Sequence, residues 1–140
     1  MRVPDPIPTP ALKVAFDKAF AVLSLLLLAP LFAAVALAMV IDGWLHPENR
    51  GPVFYAEPRV SQGHIFSLYK FRVAKTTAIA ATTEEKGHRH VKPLEKDERN
   101  KTNVGRWLQR YYLDELPQLI NILKGDMSVV GPRPYPVHKY

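Results

Sequence analysis

The sequence contains no cysteine among its 140 residues. This absence excludes disulfide bonds, catalysis by a thiolate and zinc sites built from cysteine. Histidine does not fill the gap: His88 and His90 lie in a charged stretch without a third ligand at metal-site spacing, which favours a solvated basic loop. The length suits one domain with a modest core.

Charged residues are missing from Ala19 to Ile41, a run of 23 residues. As a helix this run would be roughly 34 Å long, enough for a bilayer core of about 30 Å. It is too long for the apolar region of a signal peptide, and no convincing cleavage site follows it. A chain this short could hardly bury such a helix on all sides, so the run predicts a membrane segment. Residues 1–10, with four prolines, predict an extended leader.

Pro30 stands in the middle of the apolar run. Its ring and its missing N–H predict a kink, because the hydrogen bond to the carbonyl of Leu26 is lost. Two topologies fit: a kinked helix that spans the bilayer, or a helix-break-helix that enters and leaves by the same face. Arg2, Lys13 and Lys18 precede the run, and by the positive-inside rule these charges alone favour the span.

The formal charge is +6, and most of it lies after residue 41, where the sequence has sixteen basic and eleven acidic side chains. Such a balance indicates an anionic partner: nucleic acid, phosphorylated small molecules or the anionic surface of a membrane. The membrane segment argues against nucleic acid, which is not expected as a partner.

The part after the membrane segment divides into three stretches. Aromatic and β-branched residues on both sides of a Gly-containing turn predict a β-hairpin over residues 53–73, with Lys70 and Arg72 on one strand face. Polar and apolar residues alternate poorly in its second strand, so a two-sided strand or an early helix is the alternative there. Residues 74–101 lack a clear pattern and predict a surface loop. Residues 104–112 predict a helix capped by Thr102 or Asn103, whose aromatic stripe suits either a membrane interface or packing against another helix.

Asp114 and Glu115 are neighbours just ahead of Pro117. An apolar face that repeats up to Leu123, followed by Lys124 and Gly125, predicts a helix that begins near Leu113, with the two acids at its amino end. Amides there would favour ionised carboxylates. Neighbours on a helix point about 100° apart, so two separate roles are geometrically natural. Ordinary helix-stabilising acids are the competing interpretation.

Five short motifs carry a resemblance to a known family. In chain order they are GPVF from Gly51, YKFR from Tyr69, LDELPQL from Leu113, KGDMS from Lys124 and GPRP from Gly131. Together they resemble the bacterial sugar transferases, the monotopic phosphoglycosyl transferases that begin glycoconjugate assembly. The resemblance extends from about Lys13 to Pro134.

The resemblance implies an enzyme that transfers hexose-1-phosphate from a UDP-sugar to a polyprenyl phosphate such as undecaprenyl phosphate. UMP is released, Mg²⁺ is the cofactor, and the reaction is the first membrane step of exopolysaccharide or other glycoconjugate assembly. The implied fold is mainly α with a small β-hairpin, interfacial amphipathic helices and a re-entrant membrane helix over residues 11–42, broken at Pro30. The catalytic part, residues 43–140, would lie on the cytoplasmic face of the bacterial inner membrane, where nucleotide sugars are found.

The resemblance also implies roles for individual residues. Asp114 would be the nucleophile that forms an aspartyl-phosphosugar intermediate, and Glu115 would help to hold Mg²⁺. A carboxylate can attack phosphorus if a cation offsets the repulsion between the anions. Lys70, Arg72 and Arg133 would contact phosphate groups, the last because two flanking prolines stiffen its backbone.

The chain departs from the family pattern at several places. An arginine is usual where Gln109 stands, and Arg110 beside it is the candidate substitute; Ala29 replaces the serine usual before Pro30. Family members continue beyond the GPRP motif, whereas this sequence stops at Tyr140, so a second copy or a partner chain could supply the missing segment. A catalytically silent membrane anchor or assembly subunit with the family fold is the alternative function.

Overall fold

A computed structural model of the protein describes residues 8–61, 63–86, 94–131 and 133–137. Most of the predicted leader, residues 1–7, lies outside this part. The first and longest element is helix α1, Ala11–Leu45, which contains the charge-free run. This helix is long and apolar enough to cross a membrane, and few of its residues are buried.

Helix α1 carries Pro30 inside it and continues through it without a gap. The predicted break at Pro30 is therefore not seen as an interruption of the helix, and the helix ends at Leu45 rather than at residue 42. A proline removes one hydrogen bond, which a long helix tolerates with a kink. The re-entrant course stays a prediction.

Internal contacts divide the chain into two compact units, and both halves of α1 contribute, one to each. The first unit comprises Met1–Leu28, Ala56–Tyr69 and Gln118–Tyr140, and the second unit comprises Ala29–Tyr55 and Lys70–Pro117.

The second unit has a small apolar core on the second half of α1. Val35 and Met39, one helical turn apart, are buried with Phe71 and Leu108. The Phe71 ring stacks on Phe54 with 5.4 Å between ring centroids. Asp42, near the end of this half, is also buried, and it accepts hydrogen bonds from the side-chain amides of Asn49 and Asn103, at 3.3 and 3.1 Å. These bonds tie the helix to the chain that follows it.

Helix α3, Asn103–Arg110, forms where the sequence predicts it. Thr102 caps it by accepting a hydrogen bond from the Gly105 amide at 2.9 Å, as expected. Gly105 allows a close approach to the neighbouring backbone, since an added Cβ would lie 2.4 Å from the carbonyl oxygen of Val73. The residues of the predicted aromatic stripe differ in burial: Leu108 is fully buried, whereas Trp107 is 48% exposed.

The predicted β-hairpin is confirmed as strands β1, Phe54–Ser61, and β2, His64–Phe71, which are neighbours in one sheet. Gly63 between them has a φ of 81°. A third strand, β3, Tyr135–Pro136, pairs antiparallel with β1 on its other side and was not predicted.

The described residues of the stretch 74–101 are more regular than the surface loop that the sequence predicts. Helix α2 covers Thr76–Lys86, and two short 3₁₀ helices cover Leu94–Lys96 and Glu98–Asn100. Asp97 caps the second of these by accepting a hydrogen bond from the Arg99 amide. The loop prediction is wrong for these segments. His88 and His90 lie outside the described residues.

Candidate active site

The acid pair lies in a single 3₁₀ turn, Leu113–Glu115, that begins three residues after the last residue of α3. Tyr112 introduces the turn with a φ of 58°, a left-handed conformation that a bulky side chain rarely adopts. Such conformations cost on the order of 1–3 kcal/mol and are concentrated at functional sites. The chain is thus bent sharply just before Asp114.

The predicted helix from Leu113 to Lys124 is interrupted at Pro117. Helix α4 covers only Gln118–Lys124 and is followed, as predicted, by Gly125 in a left-handed conformation, with φ 87°. Because Pro117 has no N–H, it cannot bond to the carbonyl of Leu113, which instead accepts from the Leu116 amide at 3.3 Å. The acids therefore precede α4 in a separate turn and do not form its first turn.

Asp114 is a buried acid, with 7% of its surface exposed. Burial raises the pKa of its carboxyl to about 6; Lys70 lowers it, and the nearby carboxylates of Glu95 and Glu115 raise it further. The expectation that helix amides would favour the ionised form thus does not describe this site, where loss of solvation is the larger effect. At pH 7 a group with this pKa is still about nine-tenths ionised.

Lys70 lies near the end of β2 and forms an ion pair with Glu95 in the 3₁₀ helix Leu94–Lys96. Both side chains are largely buried, and the ammonium also lies 5.9 Å from the centroid of the Tyr55 ring. The structure therefore brings the predicted residue Lys70 near Asp114. Glu95 was not predicted, because it lies in the charged stretch that was interpreted as a loop.

Two other predicted cations lie in the second unit, in different environments. Arg72 is buried and donates to the backbone carbonyls of Asn49, Pro52 and Ala74, at 2.7, 2.9 and 3.0 Å. Burial lowers the pKa of its guanidinium, against the opposing charge of Asp42. These bonds give Arg72 a role in holding the fold. Arg110 is exposed at the end of α3, with its guanidinium 5.9 Å from the Tyr111 ring centroid. Phosphate contacts by either residue stay predictions.

Arg133 belongs to the first unit and lines a cavity there of about 500 Å³. Lys13 and Lys18, from the first turns of α1, line the same cavity. The cavity wall also contains apolar side chains, among them Val14 and Ile122. Two acids, Asp17 and Asp126, also line the cavity, so its three cations leave a net positive charge. A positive charge beside apolar surface suits an anionic ligand with an apolar portion.

Within the described ranges no group of three or more histidine, aspartate or glutamate side chains is arranged to hold a metal ion. Asp114 and Glu115 nevertheless provide oxygen donors of the type that Mg²⁺ prefers. In enzymes that act on phosphates, Mg²⁺ is commonly held by one or two carboxylates together with phosphate oxygens of the substrate and water. The two carboxylates therefore suit Mg²⁺ only together with oxygen ligands from outside the protein.

Comparison with known proteins identifies the family of the chain. The family model for bacterial sugar transferases matches residues 9–140. The chain is 40% identical over 124 residues to an undecaprenyl-phosphate glucose phosphotransferase of Komagataeibacter xylinus. It is 36% identical over 127 residues to UDP-glucose:undecaprenyl-phosphate glucose-1-phosphate transferase of Escherichia coli, and 35% identical over 131 residues to the exopolysaccharide production protein ExoY of Sinorhizobium fredii.

These alignments include most of this chain but only part of each relative. They cover 88%, 90% and 87% of the chain, and 21%, 24% and 55% of the respective relatives. The chain thus corresponds to one portion of these longer proteins. Because the family model matches nearly its whole length, the chain belongs to the bacterial sugar transferase family.

Proposed function

We propose that this protein transfers a sugar-1-phosphate from a UDP-sugar to a polyprenyl phosphate, with undecaprenyl phosphate as the acceptor. The relatives support both substrates, since their names specify undecaprenyl phosphate as the acceptor and, for the Escherichia coli protein, UDP-glucose as the donor. The relative from Sinorhizobium fredii is named for exopolysaccharide production, which is the pathway class we propose here.

The observation that carries the proposal is the environment of Asp114. It is a buried carboxylate with a raised pKa, adjacent to a second carboxylate and near a buried ammonium. Acids that merely stabilise a helix end are exposed and keep ordinary pKa values, whereas perturbed acids are frequent at catalytic sites. A raised pKa also makes the carboxylate a stronger nucleophile once it is ionised.

The proposed reaction has two displacements at the same phosphorus. In the first, a carboxylate oxygen of Asp114 bonds to the phosphorus that carries the sugar, and the bond from that phosphorus to the oxygen bridging the two phosphates breaks. UMP leaves with the electron pair, and an aspartyl-phosphosugar remains. In the second, a phosphate oxygen of the polyprenyl phosphate bonds to this phosphorus. The bond to Asp114 then breaks, which restores the carboxylate.

Three charged side chains would assist these steps. Glu115 would help to hold Mg²⁺, which when bound neutralises charge on the diphosphate and so permits attack by an anion. Lys70 would offset negative charge near Asp114, which agrees with its effect on the Asp114 pKa. Arg133 would contact a phosphate group, since a guanidinium can grip phosphate with two hydrogen bonds.

The location that fits these substrates is the cytoplasmic face of the bacterial inner membrane. A re-entrant α1, kinked at Pro30, would keep both of its ends on that face, where nucleotide sugars are found. The exposed rings of Trp107 and Tyr111, whose centroids are 5.4 Å apart, suit contact with lipid headgroups. This topology supports transfer to a lipid phosphate held at headgroup depth.

Release of UMP tests the proposal. Purified protein in lipid nanodiscs, supplied with undecaprenyl phosphate and Mg²⁺, should release UMP from at least one member of a panel of UDP-sugars. Asp114→Asn should reduce the rate by about 10³-fold or more, as expected for loss of a nucleophile. Asp97→Asn, which changes an acid in the 3₁₀ helix cap, is the matched control and should keep the rate. Full activity of Asp114→Asn would remove Asp114 from the mechanism. No UMP from any UDP-sugar would favour a silent membrane anchor.

A further inference from the structure

A charged pair stands one helical turn apart in the apolar first half of α1. Asp17 is only 6% exposed, although its neighbours Phe16 and Phe20 are exposed. Lys13 precedes Asp17 by four residues, so the two side chains share one face of the helix. Burying a carboxylate costs free energy unless hydrogen bonds compensate for the lost water. The reaction proposed above uses neither residue.

Both side chains bind the same short piece of backbone. Asp17 accepts a hydrogen bond from the Ser128 hydroxyl at 2.8 Å and one from the Val129 amide at 3.3 Å. The Lys13 ammonium donates to the Val130 carbonyl at 2.8 Å. Residues 128–130 are neither helix nor strand, so these bonds supply polar partners that regular structure would otherwise provide. We call residues 128–130 the tethered loop.

The backbone is also held on the other side of Arg133. There Tyr135 and Pro136 form β3, in register with Val60 and Arg59 of β1. Arg133 therefore lies between two anchored segments of the first unit, three residues after the tethered loop and two before the strand. So short a connection leaves its backbone little freedom to move.

The segment just before the tethered loop is bonded to a buried amide as well. Asn121 in α4 is fully buried; its side-chain amide donates to the Ser67 carbonyl at 2.7 Å and to Asp126 at 3.2 Å, and its side-chain oxygen accepts from the Tyr69 amide at 2.9 Å. The segment that leads to the tethered loop is thus fixed to β2. The described residues between 126 and 136 are thus held at three points within the first unit.

The residues that hold the tethered loop line the same cavity as Arg133. Lys13, Asp17 and Ser128 form part of its wall, and Arg133 forms another part. A shift of the tethered loop would therefore change the cavity and the position of the guanidinium together.

We propose that Asp17 and Lys13 are positioning residues that hold the tethered loop and, through it, set the place of Arg133 for a phosphate group of the nucleotide sugar. The inference rests on the phosphate role of Arg133 in the proposed function. It assigns to the start of the membrane helix a part in substrate affinity in addition to its contact with lipid.

Two measurements on the full chain in nanodiscs test this inference. Hydrogen–deuterium exchange reports how firmly the backbone of the tethered loop is held, and titration with UDP in the presence of MgCl₂ reports phosphate binding. Asp17→Ala should speed exchange in residues 128–131 and weaken UDP binding by about tenfold, the loss expected when one charge-assisted hydrogen bond is misplaced. Glu48→Gln, at an exposed acid of the second unit, is the control and should change neither value.

A second pair of variants covers the case in which Asp17→Ala fails to fold. Ser128→Ala removes one bond of the tether and should behave as a milder Asp17→Ala, whereas Ser128→Thr keeps the hydroxyl and should retain wild-type exchange and affinity. Unchanged exchange in both Asp17→Ala and Ser128→Ala would show that no tether operates. Faster exchange with unchanged UDP affinity would show that the bonds to the tethered loop have only a structural role, and it would overturn the inference.

The same data separate this inference from the proposed reaction. Wild-type protein that binds UDP, with the effects expected above, but releases no UMP would reject the reaction alone. Wild-type protein that does not bind UDP would overturn both the phosphate role of Arg133 and its positioning by Asp17.

Discussion

The ammonium of Lys70 is paired with the carboxylate of Glu95, and both charges act on the buried acid Asp114 with opposite sign. Lys70 lowers the pKa of Asp114, and Glu95 raises it. The ion pair joins the hairpin to the 3₁₀ helix Leu94–Lys96, so it sets the charge near the proposed nucleophile as well as supporting the fold.

The first prediction concerns the pH dependence of UMP release. Because Asp114 must be ionised to attack, the rate should fall as the pH drops through about 6 in the wild type. Lys70→Met removes a charge that favours ionisation, so the midpoint should rise by about one pH unit. Glu95→Gln should lower the midpoint. The same midpoint in all three proteins would show that Lys70 and Glu95 do not control the titration of Asp114.

The second prediction concerns stability. The pKa of Asp114 is about 6 in the folded protein and 3.8 as the ordinary value, so between these pH values the folded state binds more protons than the unfolded one. Its stability therefore decreases as the pH rises through this window. Asp114→Asn removes the cost of burying an ionised carboxylate. At pH 7.5, with EDTA present to remove metal ions, its free energy of unfolding should be about 1–3 kcal/mol larger than that of the wild type.

The gain in Asp114→Asn should shrink towards pH 4, where the wild-type carboxyl is protonated in the folded protein. Denaturant unfolding at both pH values measures this difference, and Glu48→Gln serves as the control at an exposed acid. A variant less stable than the wild type at pH 7.5 would contradict the assignment of burial as the main cause of the shift.

Tyr112 gives a third prediction. Its left-handed conformation, with φ 58°, is strained for tyrosine, and its side chain is 82% exposed, so little packing is lost on substitution. Tyr112→Asn should raise the free energy of unfolding by about 0.5–1 kcal/mol, since asparagine tolerates this region. Tyr111→Asn next to it, at a φ of −104°, should give no such gain. Thermal melts of the two variants make the comparison.

Two arginines should respond differently to substitution. Arg72 is buried and holds three backbone carbonyls, so Arg72→Ala should lower the free energy of unfolding by about 3 kcal/mol or more. Arg133 is exposed, so Arg133→Ala should cost much less stability than Arg72→Ala, and it should raise the KM for the UDP-sugar by about tenfold. Equal losses of stability in both variants would refute this division of roles.

Much of the fold could be predicted because its signals are local. The charge-free run before Asp42 predicted α1, the aromatic runs around Gly63 predicted the hairpin, and the Thr102 cap marked the start of α3. Helix α2 was missed because Ala, Thr and Ile in Thr76–Lys86 form no apolar face of helical period.

The remaining features depend on residues far apart in the chain. Strand β3 has two residues and exists only through its pairing with β1. The sequence placed Lys70 and Arg72 on one strand face, yet tertiary packing gives Lys70 an acidic partner and surrounds Arg72 with carbonyls. The burial of Asp114 likewise follows from packing, so its raised pKa could not be predicted from the acids that flank Pro117.

The intact mass of the protein, measured after incubation with a UDP-sugar and Mg²⁺ but without a lipid acceptor, tests the central claim most directly. A covalent intermediate should appear as one added sugar phosphate, which peptide mapping should locate on Asp114 and which should disappear when polyprenyl phosphate is added. The adduct should be absent from Asp114→Asn. UMP release at the wild-type rate without any adduct, or an adduct on another residue, would contradict the claim.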